Sequence, residues 1–318
     1  MTAESNGIEE VEGVDEDVDV FEHTESGGSP SVDSTWAFLP ATTLLAVADA
    51  DELLRWRAAS VVAVVGERNG GKTTLVAEIY ERFLHGPFAG KLFAGSWSLS
   101  GFEMKSFQSR AESGATSPDT LRTSSRDGLG FFHLAVADVS TPQDRRDLLI
   151  SERAGETYRE VRDTPKKSLE MIELRRAAAI AFIVDGERVR EDLKRAEVFA
   201  SVRNLIRALH ETRTINSGCR IQVVTTKFDL LDDDEALIAR NALTEFEQRM
   251  TNLYSSFYTV EVFRIAARDP KGVVEPAMGI APLFRSWTQP SLPVKDADIE
   301  LPALTDECDR LLLRRKER

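Results

Sequence analysis

One short segment of the chain has the composition of a phosphate-binding loop. Residues 66–73, GERNGGKT, fit the pattern G-x-x-x-x-G-K-[ST] at every position. The glycines let such a loop wrap tightly, so that its backbone N–H groups converge on phosphate oxygens. The lysine brings a positive charge, the threonine hydroxyl can ligate Mg²⁺, and the following helix adds its positive N-terminus. We therefore expect a nucleoside triphosphate to contact Gly66, Asn69, Gly70, Gly71, Lys72, Thr73 and Thr74.

A second motif predicts which base this nucleotide carries. Residues 226–229, TKFD, follow an apolar stretch. Asp229 can accept two hydrogen bonds from the ring N–H and the amino group of guanine, whereas adenine has no such donor pair and would leave the carboxylate unpaired. The aliphatic stem of Lys227 can pack along the base. We expect Thr226, Lys227 and Asp229 to bind guanine, so the predicted cofactors are GTP or GDP with Mg²⁺.

Alternating apolar and amphipathic stretches must position these motifs. We predict a doubly wound α/β fold with a mostly parallel sheet, because strands and helices alternate after the first strand. The predicted strands are residues 61–65, 131–139, 147–150, 178–184, 221–225 and 260–265. The predicted helices are residues 52–57, 73–84, 168–176, 191–211, 234–257 and 280–287.

The distribution of charge divides the chain into three parts. Residues 1–33 hold eleven Asp or Glu and no Lys or Arg, so we expect residues 1–35 to be a disordered acidic tail. Residues 36–290 form the predicted nucleotide-binding domain, with a long insertion at 86–129 whose fold cannot be inferred, and residues 291–318 form a C-terminal extension. Of the net charge of −13, the tail accounts for eleven units, which leaves about −2. A nucleic-acid binder would carry a basic surplus, so nucleic acid is not an expected partner.

Other features of the composition point to a cytoplasmic protein. The two cysteines, Cys219 and Cys308, make no disulfide framework or CxxC pair, and we expect them to be small buried apolar residues. The N-terminus lacks the apolar core of a secretory signal, and no stretch approaches the ~20 apolar residues of a membrane span.

Two further segments resemble motifs of Ras-like P-loop GTPases. Residues 151–156, SERAGE, resemble the D-x-x-G motif, which in that family extends to D-T-A-G-Q-E. Glu152 stands at the position of the metal-side Asp, Gly155 at that of the γ-phosphate-sensing Gly, and Glu156 at that of the water-orienting Gln. The resemblance implies catalytic roles for these three residues and Lys72, and implies that Glu152 is a metal ligand beside Thr73. Both glutamates depart from the family pattern, so rapid unaided hydrolysis is not expected.

The same resemblance implies a third metal ligand and one more contact to the base. A Thr should precede the strand at 131–139; the candidates are Thr120 and Thr123, and we favour Thr123 as a catalytic residue and metal ligand. Residues 265–268, IAAR, resemble the S-A-K loop, in which a backbone N–H contacts the guanine oxygen; here Ala267 would supply it.

Three roles remain open at the level of sequence. Asp138, which closes a predicted strand, is an alternative carboxylate for the metal. Arg68 and Arg153 lie within the phosphate motifs, where either could serve as an internal arginine finger or face solvent. Asp185 and Gly186 are interpreted as structural residues.

More narrowly, the chain resembles the bacterial double-GTPase family of the second type. The resemblance rests on the GERNGGKTTL loop, FAGSWSL at 93–99 with GFE at 101–103, FHL at 132–134, LLISE at 148–152, AFIVDGE at 181–187 and TKFD. It implies a GTP-binding switch in bacterial conflict or defence systems that acts with effector or regulatory proteins. Whether the chain also forms a homodimer is an open question at the level of sequence. A non-hydrolysing scaffold and a P-loop ATPase or small-molecule kinase are the alternatives.

Overall fold

The computed structural model describes residues 43–109, 128–267 and 277–290, which all belong to the compact unit Leu39–Arg318. No helix in this described part is long and apolar enough to cross a membrane. Segments 1–35 and 291–318 lie outside it, so the proposed domain boundaries stay predictions.

Seven strands form one sheet in the described part of the chain. Its strands are β1 (Ala59–Val65), β2 (Lys91–Gly95), β3 (Gly130–Asp138), β4 (Arg145–Glu152), β5 (Ala177–Asp185), β6 (Arg220–Thr226) and β7 (Thr259–Arg264). Across the sheet the order is β2-β3-β4-β1-β5-β6-β7. The five strands from β4 to β7 are parallel, whereas β3 is antiparallel to β4 and β2 is antiparallel to β3. The predicted mostly parallel α/β sheet is therefore confirmed.

Helices cover both faces of this sheet. They are α1 (Val47–Trp56), α2 (Lys72–Leu84), α3 (Leu99–Ser109), α4 (Gly155–Asp163), α5 (Ile172–Arg176), α6 (Gly186–Arg190), α7 (Asp192–Glu211), α8 (Leu237–Tyr254) and α9 (Ile280–Trp287). Side chains of β1 alternate between the faces, as the two-residue period of a strand requires. Ala63 and Val65 join a core with α4, α5, α7 and α8, whereas Val62 and Val64 join a core with α2, α3 and α9.

The structure differs from the predicted elements in several places. The insertion is partly regular, since β2 extends the sheet and α3 packs on α2. Helix α4 was not predicted, because most of its residues are charged and its apolar face holds little more than Tyr158 and Val161. The helices predicted at 168–176 and 234–257 each begin as a 3-10 turn, Pro165–Glu170 and Asp234–Ala236.

A buried polar network fastens the start of the insertion to the sheet. The ring of His133 on β3 is fully buried. Its Nδ1 accepts a hydrogen bond from the backbone N–H of Trp97 at 2.9 Å, so Nε2 carries the proton and donates to Asp147 Oδ1 at 2.9 Å. Arg145 also donates to Asp147, at 2.7 Å. Since both ring nitrogens have partners, His133 has a structural role.

The same network predicts a loss of stability in acid. Burial alone would raise the pKa of Asp147, but hydrogen bonds from His133 and Arg145 lower it from 3.8 to about 2. Because the pKa of Asp147 is lower in the folded state than in the unfolded state, its ionised carboxylate adds to the free energy of unfolding. This contribution is about 2 kcal/mol above pH ~4 and is lost as the pH falls towards 2. We expect urea unfolding to show Asp147→Asn destabilised at pH 6, with the difference from wild type vanishing near pH 2. The exposed Asp192→Asn is the control, and a pH-independent difference would contradict the prediction.

Candidate nucleotide-binding site

The phosphate-binding loop connects the carboxyl end of β1 to the start of α2. Gly71 caps the helix with a φ of 86°, a conformation that favours glycine, and Asn69 also has a positive φ of 62°. The tip of the loop, at Arg68 and Asn69, is exposed to solvent. The loop therefore presents its main chain at the edge of the sheet where parallel strands end, the usual position of a ligand in open α/β sheets.

Lys72 lies inside this loop. Its ammonium donates to the carbonyl oxygens of Gly66 and Glu67, both at 3.0 Å, and the residue is only 9% exposed. Burial lowers the pKa of Lys72, and the carboxylates of Glu152, Glu156 and Glu67 oppose that change. The charge is thus held at the centre of the loop, where a phosphate tail would be cupped.

A carboxylate and a hydroxyl meet at the end of β4. Thr73 Oγ1 donates to Glu152 Oε1 at 2.7 Å, and Glu152 is 3% exposed. The extra methylene of Glu, compared with the Asp of Ras-like proteins, therefore does not prevent the carboxylate from reaching the threonine. Strand β3 runs antiparallel to β4, which places Asp138 at the opposite edge of the sheet, where it pairs with Lys91 at 2.8 Å. Asp138 is thereby removed as an alternative metal ligand.

The donor set at Thr73 and Glu152 suits magnesium. Mg²⁺ prefers oxygen ligands, keeps several waters, and is usually bound through one or two carboxylates together with substrate phosphates. Across the described residues, no group of three or more His, Cys, Asp or Glu side chains could hold a metal ion. Thr73 and Glu152 would supply two ligands, and phosphates and water the others.

The turn after β4 lies directly against the phosphate-binding loop. A Cβ on Gly155 would be 2.5 Å from the backbone nitrogen of Arg68 and 2.6 Å from the carbonyl carbon of Glu67, so only glycine fits here without a shift of main chain. The next residue, Glu156, pairs with Arg68 at 3.9 Å between Oε1 and Nη1. The structure thus brings the D-x-x-G-like segment and the loop into contact.

The base-reading motif is bonded to the phosphate-binding loop. Thr226 Oγ1 donates to the carbonyl oxygen of Gly70 at 2.8 Å, and the residue is 4% exposed. This bond fixes the end of β6 against the loop between β1 and α2. A nucleotide with its phosphates in the loop would therefore have its base beside residues 226–229.

Lys227 is held by the residues that follow β5. It has a φ of 51°, and its ammonium lies 3.1 Å from Asp185 Oδ1 and 2.6 Å from Glu187 Oε2. Between these two acids, Gly186 packs so closely that a Cβ would be 2.4 Å from the carbonyl oxygen of Thr226. Asp185 and Gly186 thus have the structural role inferred for them, and they position the lysine.

The remaining base-side residues lie on adjoining segments. Asp229 is half-buried in the 3-10 turn Phe228–Leu231. The backbone N–H of Phe228 donates to the carbonyl of Ile265 at 3.0 Å, which joins this turn to the segment containing Ala267. Arg268 lies outside the described residues. A carboxylate and a main-chain segment therefore flank the predicted position of guanine.

The comparison with protein families agrees with this arrangement. A family model described as Double-GTPase 2 matches residues 60–288 of the 318-residue chain. The chain belongs to the Double-GTPase 2 family. This confirms the resemblance stated from sequence and implies GTP binding and a switch-like role. No curated protein matches the chain.

Several solved structures of GTPases are similar to this Double-GTPase 2 chain. The Methanosarcina barkeri Roco2 RocCORdC bound to GDP is 14% identical, with 72% of this chain and 47% of that chain covered and a TM-score of 0.35. The Chaetomium thermophilum signal recognition particle receptor SRb-GTP/SRX complex is 13% identical, with 73% and 96% covered and a TM-score of 0.40. Translation elongation factor SelB of Methanococcus maripaludis, with the GTP analogue GppNHp, is 10% identical, with 76% and 37% covered and a TM-score of 0.39. The chain thus spans less than half of the Roco2 and SelB chains.

One feature of this Double-GTPase 2 site was not foreseen from sequence. Glu67, the second residue of the phosphate-binding loop, accepts from Ser201 on α7 at 2.7 Å and from Arg188 on α6 at 2.6 Å. It also pairs with Arg162 at 3.4 Å and Arg159 at 3.7 Å, both on α4. We name these five residues the Glu67 cluster.

The arginines of the Glu67 cluster neutralise the carboxylate of Glu67, which would otherwise repel phosphate. Burial alone would raise the pKa of Glu67, but hydrogen bonds from Ser201 and Arg188 hold it below its ordinary value. A carboxylate inside a phosphate-binding loop is itself a signal in the sequence, because it requires nearby cations. Its partners follow from the packing of three helices and could not be assigned from the sequence.

The sequence candidates for an arginine finger and for the metal-binding threonine have different outcomes. Arg153 forms a buried ion pair with Glu173 on α5, at 2.7 Å between Nε and Oε1, so in this structure it serves to anchor a helix. Thr120 and Thr123 lie outside the described residues. Strand β3 begins at Gly130, opposite Glu152. The role of Thr123 stays a prediction.

Proposed function

We propose that this protein is a GTP-binding switch that also binds Mg²⁺, hydrolyses GTP slowly by itself, and passes its nucleotide state to partner proteins. The observation that carries the proposal is the hydrogen bond from Thr226 to Gly70, which sets the base-reading segment against the phosphate-binding loop. Lys72 inside the loop and the contact between Thr73 and Glu152 support the triphosphate and the metal ion. Family membership supports GTP over ATP.

The switch itself would consist of the segments that approach the γ-phosphate. Gly155 lies against the loop, so a phosphate oxygen bound there would be sensed by the start of α4. Binding and hydrolysis of GTP order and release such segments in switch proteins, which changes the partner surface they offer. The partners would be effector or regulatory proteins, and we include a bacterial conflict or defence system as the proposed setting.

The nucleotide can be tested first by identifying what co-purifies with the full chain, and then by comparing affinities for GTP and ATP. GTP or GDP in the purified protein, and a large preference for GTP over ATP, would support the proposal. Equal affinity for the two would overturn the guanine assignment and favour the P-loop ATPase alternative.

Asp229→Ala should remove this preference. Losing two hydrogen bonds to a charged acceptor costs about 3 kcal/mol or more, so the affinity for GTP should fall by about 100-fold. Affinity for ATP should stay unchanged, because adenine has no donor pair for the carboxylate. Isothermal titration in the presence of Mg²⁺ measures both. The exposed Asp232→Ala, three residues away, is the matched control, and an equal loss for GTP and ATP would contradict the assignment.

Hydrolysis is a separate question, because Glu156 stands at the position of the water-orienting glutamine. Single-turnover release of phosphate from bound GTP distinguishes an enzyme from a scaffold. Slow release by the wild-type chain, faster with a partner present, would support the switch. GTP that stays bound for hours with no phosphate released would show that the non-hydrolysing scaffold is correct.

A further inference from the structure

Phosphoryl transfer from GTP needs a cation at the γ-phosphate, and an arginine in cis or in trans often supplies it. Among the described residues around the phosphate motifs, five arginines lie close enough to consider. Four of them pair with buried or half-buried acids, although Arg159 is itself 53% exposed and lies 3.7 Å from Glu67. Arg153 pairs with Glu173, and the other three belong to the Glu67 cluster: Arg159, Arg162 and Arg188.

Arg68 differs from these four in its position and in the exposure of the acid that it contacts. It is the third residue of the phosphate-binding loop, and its side chain is 56% exposed. Its ion pair with Glu156 is long, 3.9 Å, and Glu156 is itself 47% exposed. An exposed ion pair of this kind contributes little and exchanges easily. The guanidinium is therefore available to another anion at the mouth of the loop.

Glu156 marks where that anion would lie. It follows Gly155, whose main chain touches the loop, and its carboxylate is near enough to Lys72 to raise the pKa of the ammonium against the effect of burial. Two cations of the loop, Lys72 and Arg68, thus both lie near the carboxylate of Glu156. A γ-phosphate at the mouth of the loop would meet one carboxylate that repels it and two cations that attract it.

We propose that Arg68 is the catalytic arginine of this protein, supplied in cis by the phosphate-binding loop, and that Glu156 holds it in the nucleotide-free state. This inference rests on the proposed function and deepens it. As the γ-phosphoryl group of bound GTP begins to transfer, the guanidinium exchanges the carboxylate of Glu156 for the γ-phosphate. In the reaction, a water oxygen forms the new bond to γ-phosphorus, the bond to the β,γ-bridging oxygen breaks with its electron pair going to GDP, and the proton of the water passes to the released phosphate.

The first test measures GTP affinity and single-turnover phosphate release for the full chain. We expect Arg68→Ala to slow release by about 100-fold or more while GTP affinity changes less than about threefold. Arg68→Lys should recover only part of the rate, since an ammonium lacks the two-pronged geometry of a guanidinium. Arg207→Ala is the matched control, because Arg207 makes a similarly exposed pair with Glu211 at 3.8 Å.

The second test separates a catalytic role from a structural one. Aluminium fluoride with GDP mimics the transferring phosphoryl group, so Arg68→Ala should lose binding of this pair while keeping GDP affinity. Glu156→Gln removes the competing carboxylate, so we expect it to release phosphate faster than wild type, and Arg68→Ala should abolish that gain.

The outcomes separate this inference from the proposed function. Normal GTP binding with phosphate release by Arg68→Ala within threefold of wild type would overturn the role of Arg68 alone. Wild-type protein that binds GTP but releases no phosphate would overturn both the role of Arg68 and the hydrolytic part of the proposed function, and would leave GTP binding intact. Failure of the wild-type chain to bind GTP would overturn the proposed function and this inference together.

Discussion

Replacing Lys72 with alanine is expected to weaken binding of both GTP and GDP by about 100-fold or more and to abolish hydrolysis. Lys72 is only 9% exposed, and its ammonium is fixed by two carbonyl oxygens of the loop. Hydrogen bonds between charged groups contribute about 1.5–3 kcal/mol each, and a lysine in this position can make two with the outer phosphates. Fluorescence titration with a labelled guanine nucleotide measures the loss.

A control is needed because Lys72 also bonds the loop itself. Its removal leaves the carbonyls of Gly66 and Glu67 without that donor, so thermal unfolding should be recorded beside binding. Lys194→Ala is the matched control, because Lys194 is an exposed lysine that pairs with Glu191 at 2.7 Å. A folded Lys72→Ala protein with unchanged nucleotide affinity would show that the loop does not bind phosphate.

Gly155→Ala should uncouple GTP hydrolysis from nucleotide binding. The added methyl would lie 2.5 Å from the nitrogen of Arg68 and 2.9 Å from the oxygen of Gly66, both main-chain atoms, so the turn must move away from the loop. We expect single-turnover hydrolysis to fall by about 100-fold, which corresponds to losing about 3 kcal/mol of transition-state stabilisation. The affinity for GDP, which has no γ-phosphate, should change little.

The helix propensities of glycine and alanine alone predict no loss of hydrolysis in Gly155→Ala, and this opposite expectation gives the experiment its control. Gly155 is the first residue of α4, and alanine is favoured over glycine in a helix by about 1 kcal/mol. If only propensity mattered, the variant would be more stable and fully active. A rise in the unfolding temperature together with wild-type hydrolysis would therefore show that the close approach of this turn to the loop is unimportant for function.

The parts of the site that could be predicted are those whose chemistry lies within one continuous segment. The loop at 66–73 and the TKFD segment each hold their own signal, and the apolar strands before them, β1 and β6, are found where the pattern places them. The contact between Thr73 and Glu152 is different. It depends on β4 lying beside β1 in parallel register, with Val62 opposite Ile150, and no local pattern gives that register.

Two regions show why the remainder was not predicted. In the insertion, β2 has little apolar content facing the core and is stabilised as an edge strand by its pairing with β3, so periodicity alone does not reveal it. Most residues of helix α4 are charged, and the role of its arginines is explained only by their contact with Glu67 in the folded protein. In both regions the deciding interactions join residues distant in sequence.

The Glu67 cluster has a consequence for how fast a nucleotide can leave. Helix α4 touches the phosphate-binding loop twice, through Gly155 at its first turn and through Arg159 and Arg162 further along. A protein that captured those two arginines from outside would remove two of the three positive charges paired with Glu67. Glu67 would keep only Arg188 and Ser201, and its carboxylate would repel bound GDP more strongly. The outer side of α4 is therefore a place from which an exchange factor could speed the release of GDP.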